Sequence, residues 1–337
     1  MCVILYANIN NQHILAKNRD RPYNHNIELI HEIINGVEVA YIKDTVSGWI
    51  EGMNENGDGM VNSTLNNKDY GNDNNKNINN DNKSRKIQKH FIYKKKRNKM
   101  YKALSEITHK KFFNDLLQKD KNNNYLLEGH TLVSFKNKIY HIENDSNNNY
   151  TLKNVSKPVV YSNYGISLPN YGYKTGVKGV SAFLRKQIVK KELNEVENNQ
   201  DKYKNLLYDK LASMLNKNYI NLDPRFHPYR DIKYTQKIFP ELKYKKRQVR
   251  TTGQLILNTT KKDFVYYNNT NTSSKNVKYI NKLPKNYAPK IRVIINNAHK
   301  NLKPYKMFTR KYLNKIYKKF GYENVYNNTK KIKHVYV

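Results

Sequence analysis

The chain has a single cysteine, Cys2, in 337 residues. No intrachain disulfide can form, and a reducing compartment is the expected setting. Acidic residues are scarce: 27 Asp+Glu against 62 Lys+Arg leave a net charge of +35. Such a balance fits nucleic acid, an anionic membrane or an acidic substrate. Asn, Lys, Ile and Tyr are also abundant, as in a coding sequence drifting toward A and T. Much of the charge therefore reads as composition, and nucleic acid is not the expected partner. No apolar run reaches the about 18 residues of a membrane span, so none is expected. The opening MCVILYANIN lacks the basic start and long apolar stretch of a signal peptide. A cytoplasmic protein is the expectation. No Gly-rich phosphate loop precedes a helix. His13, His25, His31, His130 and His141 do not fall in metal-ligand spacing. With one thiol beside them, neither a metal nor another cofactor is expected.

What is present is a succession of short β-prone runs. Val3 to Ala7 and His13 to Lys17 flank a polar turn and read as a hairpin. Glu28 to Asn35 and Val37 to Lys43 form a second around Asn35-Gly36. Trp49 to Met53 and Gly59 to Thr64 flank Asn54-Glu55-Asn56-Gly57. Asn66 to Asn82 is nearly pure Asn, Asp and Lys and cannot bury apolar area, which predicts a disordered insertion extending through the basic Lys83 to Lys99. Tyr101 to Leu117 has helical spacing through Leu104, Ile107, Phe112 and Leu116. Thr131 to Ser134 and Lys138 to Glu143 are strands around Lys136-Asn137, and Pro158 to Ser162 is another. Val180 to Val189 and Lys204 to Leu215 read as helices. Asn221 to Lys233 reads as an irregular loop. Gln254 to Leu257 and Asp263 to Tyr267 read as a late hairpin. The order of strands, helix, strands, helices and strands predicts an α+β fold with a large antiparallel sheet.

The position of Cys2 carries chemistry. Removal of Met1 would leave a thiol and a free α-amine on one residue. Their reference pKa values are about 8.5 and about 7.7–8.0, so near neutral pH the amine can take the thiol proton. The nucleophile then brings its own general base, and no histidine is needed. Lys17-Asn18-Arg19-Asp20-Arg21 follows the second strand of the first hairpin, which returns it beside the chain start. A carboxylate there could orient the ammonium, and a cation could favour the thiolate.

Together these residues resemble the choloylglycine hydrolase and penicillin V acylase family, with its related acyl-CoA:penicillin acyltransferase-like group. These N-terminal-nucleophile (Ntn) hydrolases are αββα sandwiches of two antiparallel sheets between helical layers. They cleave linear amides through an acyl-cysteine. Lys17-Asn18-Arg19-Asp20 resembles the family's Arg-Asn-x-Asp stretch. The resemblance makes Asp20 the partner of the nucleophile's amine. It leaves either Lys17 or Arg19 as the cation facing the thiol. The swap matters, because Lys is a point charge and Arg a fork. Gly52 to Gly57 resembles the family's Gly-x-Asn-Glu-x-Gly turn. Met60 to Thr64 resembles the strand after it, which makes Asn62 an oxyanion candidate. Val160-Tyr161-Ser162-Asn163 resembles the strand end whose asparagine forms the oxyanion hole. Ser181 to Arg185 resembles the region whose arginine supports the site. Thr251-Thr252 and the hairpin after it resemble the family's closing hairpin.

The resemblance covers roughly residues 2–65 and 125–270. It implies a domain over 1–270 carrying the 66–99 insertion, then a basic C-terminal extension over 271–337. It also implies hydrolysis of a linear, non-peptide carbon–nitrogen amide in a small-molecule substrate through acyl-Cys2. An acyltransferase on the same fold is the alternative. So is a catalytically degenerate basic binding protein using the Lys83 to Lys99 and Lys243 to Arg250 patches. A homo-oligomer is compatible with the sequence.

Overall fold

Turns of two residues with left-handed backbone close three hairpins: Asn10-Asn11, Asn35-Gly36 and Lys136-Asn137, all with positive φ at both positions. That conformation matches the right-handed twist of the flanking strands, so it fixes which runs pair and in what register. The computed structural model describes residues 2–21, 26–45, 48–63, 100–119, 127, 129–144, 149–168, 176–215, 250–268 and 277–297. The expected insertion at 66–99, the Asn221 to Lys233 loop, His25 and the patches at 83–99 and 243–249 lie outside these residues.

The strands are β1 (Ile4–Ile9), β2 (Gln12–Arg21), β3 (Ile27–Ile34), β4 (Val37–Asp44), β5 (Ile50–Asn54), β6 (Gly59–Ser63) and β7 (Gly129–Phe135). They continue with β8 (Lys138–Asn144), β9 (Tyr150–Asn154), β10 (Val159–Tyr161), β11 (Arg250–Asn258), β12 (Asp263–Asn268), β13 (Val277–Asn281) and β14 (Arg292–Asn297). The first sheet runs β10-β1-β2-β11-β12-β14 and the second β13-β3-β4-β5-β6-β7-β8-β9. The helices are α1 (Met100–Leu104), α2 (His109–Leu116), α3 (Gly176–Asn198) and α4 (Leu207–Leu215).

Alternation along the strands divides the core. Ile4, Tyr6 and Leu15 of the first sheet meet Ala40, Val61 and Leu132 of the second. Val3, Leu5, Ile14 and Ala16 point the other way, onto Val189 and Leu193 of α3 and Leu211 of α4. On the far side of the second sheet, Val39, Met60 and Val133 pack on Leu104 of α1 and Phe112 of α2. The layers are thus helix, sheet, sheet, helix, as the resemblance implies. Each apolar face is covered by another element.

The structure departs from expectation in three places. The sheets are mixed rather than purely antiparallel, because β14 runs parallel to β12 and β13 parallel to β3. The chain leaves the first sheet at Asn268, adds β13 to the second, and returns as β14. A parallel neighbour needs such a long crossover. Residues 277–297 therefore contribute an edge strand to both sheets. The expected helix over 101–117 is broken into α1 and α2. Ser105 Oγ donates back to the Lys102 carbonyl at 2.9 Å, and Thr108 takes extended backbone before α2. A hydroxyl competing for backbone groups ends a helix in this way. Finally, α3 runs well beyond the expected 180–189 at both ends.

Candidate active site

Register brings the site together. The last β1–β10 pair is Ile4 with Tyr161, and Ile4 also faces Lys17 across β1–β2. Extending both ladders by two residues sets Cys2 between Asn163 on one side and Arg19 on the other. The ladder does continue toward Cys2. Asn18 N–H donates to the Val3 carbonyl at 3.1 Å, and Val3 N–H donates to Asn18 Oδ1. Cys2 is 4% exposed.

Strand parity sorts the polar residues of β2. Leu15 faces the inter-sheet core and Ala16 the helices. Lys17 and Arg19 therefore point between the sheets, and Asn18 and Asp20 toward α3. The buried cations meet acids from the second sheet. Lys17 Nζ donates to Glu51 Oε1, Arg19 Nη1 lies 2.7 Å from Glu51 Oε2, and Arg19 Nη2 lies 3.1 Å from Asp44 Oδ2. Burial alone would raise the Glu51 carboxyl. The charges of Lys17 and Arg19, with the Lys17 and Asn62 N–H bonds, more than offset that and hold it below its ordinary value. Lys17 and Arg19 share the Glu51 carboxylate, and Arg19 also pairs with Asp44.

On the other face, Asp20 Oδ1 accepts from Thr251 Oγ1 at 2.6 Å and Asn18 Nδ2 at 2.8 Å. Asn18 thereby ties Asp20 to the chain start, since its Oδ1 takes the Val3 N–H. Arg185 Nη1 lies 3.7 Å from Asp20 Oδ2, and Arg185 Nη2 donates to Asn163 Oδ1 at 3.3 Å. A guanidinium can only donate, so it takes the oxygen of the amide and leaves Nδ2 aimed away. Asn163 Nδ2 donates to Ser63 Oγ at 3.3 Å, and Ser63 Oγ donates to the Cys2 carbonyl at 3.0 Å. One connected set of buried groups thus runs from Asp20 through Arg185, Asn163 and Ser63 to Cys2.

A bulge in β11 makes room for this set. Asp20 pairs with Thr251 and Arg19 with Gly253, leaving Thr252 as the extra residue. Its hydroxyl donates to the Arg19 carbonyl at 2.9 Å. At Gly253 a Cβ would meet Tyr266 Oη at 2.2 Å, so no side chain fits.

The structure brings Cys2, Asp20, Asn163 and Arg185 together in one buried set. It places Lys17 and Arg19 on one face together, with Lys17 opposite Ile4 and the extended register bringing Arg19 opposite Cys2. Asn62 is a correction. Val61 belongs to the inter-sheet core and Met60 to the face under α1 and α2, so parity turns Asn62 toward the latter. There its Nδ2 donates to Thr131 Oγ1 at 2.9 Å. Ser63, one residue on, is the β6 side chain that reaches Cys2. Sequence reasoning missed Ser63, Glu51, Asp44 and Asn18. Alternation within β6 could have picked Ser63 over Asn62, but no local signal marks the acids, which come from the facing sheet. It also missed a buried cluster of His130, His141 and Glu143, whose ligand-type atoms lie within 4.8 Å of one another.

No family model matches the chain, and no curated protein matches it. Among solved structures, it is similar to penicillin V acylase from Agrobacterium tumefaciens, at 10% identity over 91% of this chain and 99% of that one, with a TM-score of 0.39. It is also similar to a variant of conjugated bile acid hydrolase from Clostridium perfringens, at 13% identity over 81% of this chain and 90% of that one, with a TM-score of 0.43.

Proposed function

We propose that the chain is an amidohydrolase that cleaves a linear carbon–nitrogen amide through an acyl-Cys2 intermediate. The observation that supports this best is the run of buried hydrogen bonds from Arg185 to Asn163, from Asn163 to Ser63, and from Ser63 to the Cys2 carbonyl. Once Met1 is removed, the Cys2 amine takes the thiol proton and the thiolate attacks the amide carbonyl. The C–S bond forms as the carbonyl oxygen takes the negative charge. Asn163 Nδ2, exchanging its long bond to Ser63, donates to that oxygen. The ammonium then protonates the leaving nitrogen as the C–N bond breaks. A water gives its proton to the amine and attacks the thioester, releasing the carboxylic acid and restoring the thiol.

Asp20 and Arg185 hold the geometry: Asp20 anchors the chain start through Asn18, and Arg185 fixes the Asn163 amide. Lys17 and Arg19 pair with Glu51 and Asp44, and the Cys2 amine is the group that accepts the thiol proton. A general base so placed contributes about 10²–10⁴ in rate.

Assays on a panel of acyl amides, including penicillin V and bile-acid conjugates, test the reading. Cys2→Ala should abolish turnover with the fold intact, and Cys2→Ser should cut it heavily. Full activity in either variant refutes the mechanism. Product transfer to an added amine in place of water would identify an acyltransferase. Salt-dependent retention on DNA that Cys2→Ala leaves unchanged, with no turnover, would favour a basic binding protein.

A further inference from the structure

The His130–His141–Glu143 cluster has the composition of a metal site, but its atoms are engaged otherwise. His130 Nδ1 and His141 Nε2 lie 2.9 Å apart, and the ring centroids are 5.1 Å apart with planes at 27°. The centroid distance exceeds the nitrogen distance by only the two ring radii. The rings therefore meet end to end in an N–H···N bond, instead of converging on a shared ion. His130 Nε2 lies 2.8 Å from the Tyr164 carbonyl, which can only accept. Nε2 therefore carries the hydrogen, Nδ1 accepts, and His141 donates from Nε2. Glu143 is equally committed: its oxygens accept from the backbone N–H groups of Ile166 and Ser167, both at 2.7 Å, and of Leu168 at 3.2 Å.

These bonds fall on both sides of one residue. Tyr161, before Asn163, stacks on His141 with centroids 3.9 Å apart and planes at 12°. Tyr164 and residues 166–168, after it, are held by His130 and Glu143. Asn163 itself lies two residues past the end of β10, on bent backbone outside the strand. All three clasping residues come from β7 and β8, interior strands of the second sheet that are each paired on both sides.

We propose that His130, His141 and Glu143 form a clasp that positions Asn163 against Cys2, acting as positioning residues for the oxyanion donor. This rests on the reading of Asn163 given above. The clasp works through neutral histidines. Burial pushes both rings well below the ordinary histidine range, with the charge of Lys186 adding to the effect on both and that of Lys153 on His141. Glu143 pulls His130 the other way. The Tyr161 phenol, raised to about 12 chiefly by burial, stays neutral.

The test uses Glu143→Gln and His130→Ala, with His130→Gln as the conservative variant that can still donate to the Tyr164 carbonyl. Three quantities are read: backbone hydrogen exchange over residues 161–168, kcat and KM on a chromogenic acyl anilide, and the rate of Cys2 alkylation by iodoacetamide. In Glu143→Gln and His130→Ala, exchange at 164–168 should quicken by about 10-fold or more, as a locally released segment does. The kcat should fall by about 10- to 100-fold, short of the about 10²–10³ that deleting an oxyanion donor costs. KM and alkylation should stay within about twofold, since neither binding nor the thiol depends on Asn163. His130→Gln should recover part of kcat. Retained protection, or full kcat despite lost protection, overturns the proposal. If His130→Ala fails to fold, Glu143→Gln carries the same readouts while preserving shape. If the wild type turns over no acyl amide, the proposed function fails, and hydrogen exchange still decides whether the clasp holds the segment.

Discussion

Replacing Glu51 with Gln keeps the side-chain shape and removes one charge from a fully buried position. Glu51 is fully buried and receives Lys17 Nζ, Arg19 Nη1 and the Asn62 N–H. Among the described ion pairs around it, the change removes Lys17–Glu51 and Arg19–Glu51 and keeps Arg19–Asp44. Removing one partner of a buried pair costs about 3–5 kcal/mol, most of it the uncompensated charge. The melting temperature should fall by roughly 10 °C. Adding Lys17→Met removes the Lys17 charge as well, so the double variant should recover more than half of the loss. The wild type also carries an acid-sensitive share of this stability. Because the native Glu51 carboxyl is held below its unfolded value, the contribution is full above about pH 4.5 and is lost as pH falls through the native value. Glu51→Gln lacks that share and should show a flatter acid limb. Urea unfolding of the wild type, the single and the double variant between about pH 3 and about pH 7 reads all of this. A single-variant loss under about 1 kcal/mol, or a double variant no better than the single, refutes the pairing scheme.

Other outcomes follow from the same geometry. Asn163→Ala should lower kcat by about 10²–10³ with KM little changed, as loss of an oxyanion donor does; steady-state kinetics on the best acyl amide checks it. Gly57→Ala should destabilise by more than about 1 kcal/mol, read by chemical denaturation. Its φ is +82°, and a Cβ there would meet the Thr259 carbonyl at 2.3 Å. His141, pushed down to about 2 mainly by burial, stays neutral in the native state while the unfolded chain protonates below about pH 6.5. Stability should therefore fall with decreasing pH across that window. In His141→Gln the slope should be shallower by about 1.4 kcal/mol per pH unit, measured from urea midpoints.

How much of this was legible depended on distance along the chain. The hairpins could be read because their turns demand left-handed backbone at Asn and Gly, a local requirement. Cys2 and Asp20 could be placed together because a hairpin with a two-residue turn returns Lys17-Asn18-Arg19-Asp20 to the chain start. The acids that pair with Lys17 and Arg19 could not, since Glu51 and Asp44 arrive from the facing sheet. His130, His141 and Glu143 looked unrelated because they come from two strands whose pairing puts all three on one face. The edge strands β13 and β14 lie in a polar, basic stretch and are half exposed, so they carry no clean alternation. The resemblance points to Asn62, whereas strand parity makes Ser63 the β6 side chain that reaches Cys2.

The account stands on Cys2 as a nucleophile with a free amine. Intact mass and N-terminal sequencing of the purified protein, before and after brief mixing with an acyl amide, test that most directly. The account predicts loss of Met1, an unblocked Cys2, and a transient mass gain of one acyl group on Cys2 that Cys2→Ala does not show. An active enzyme that keeps Met1, or an acyl group trapped on another residue, contradicts it.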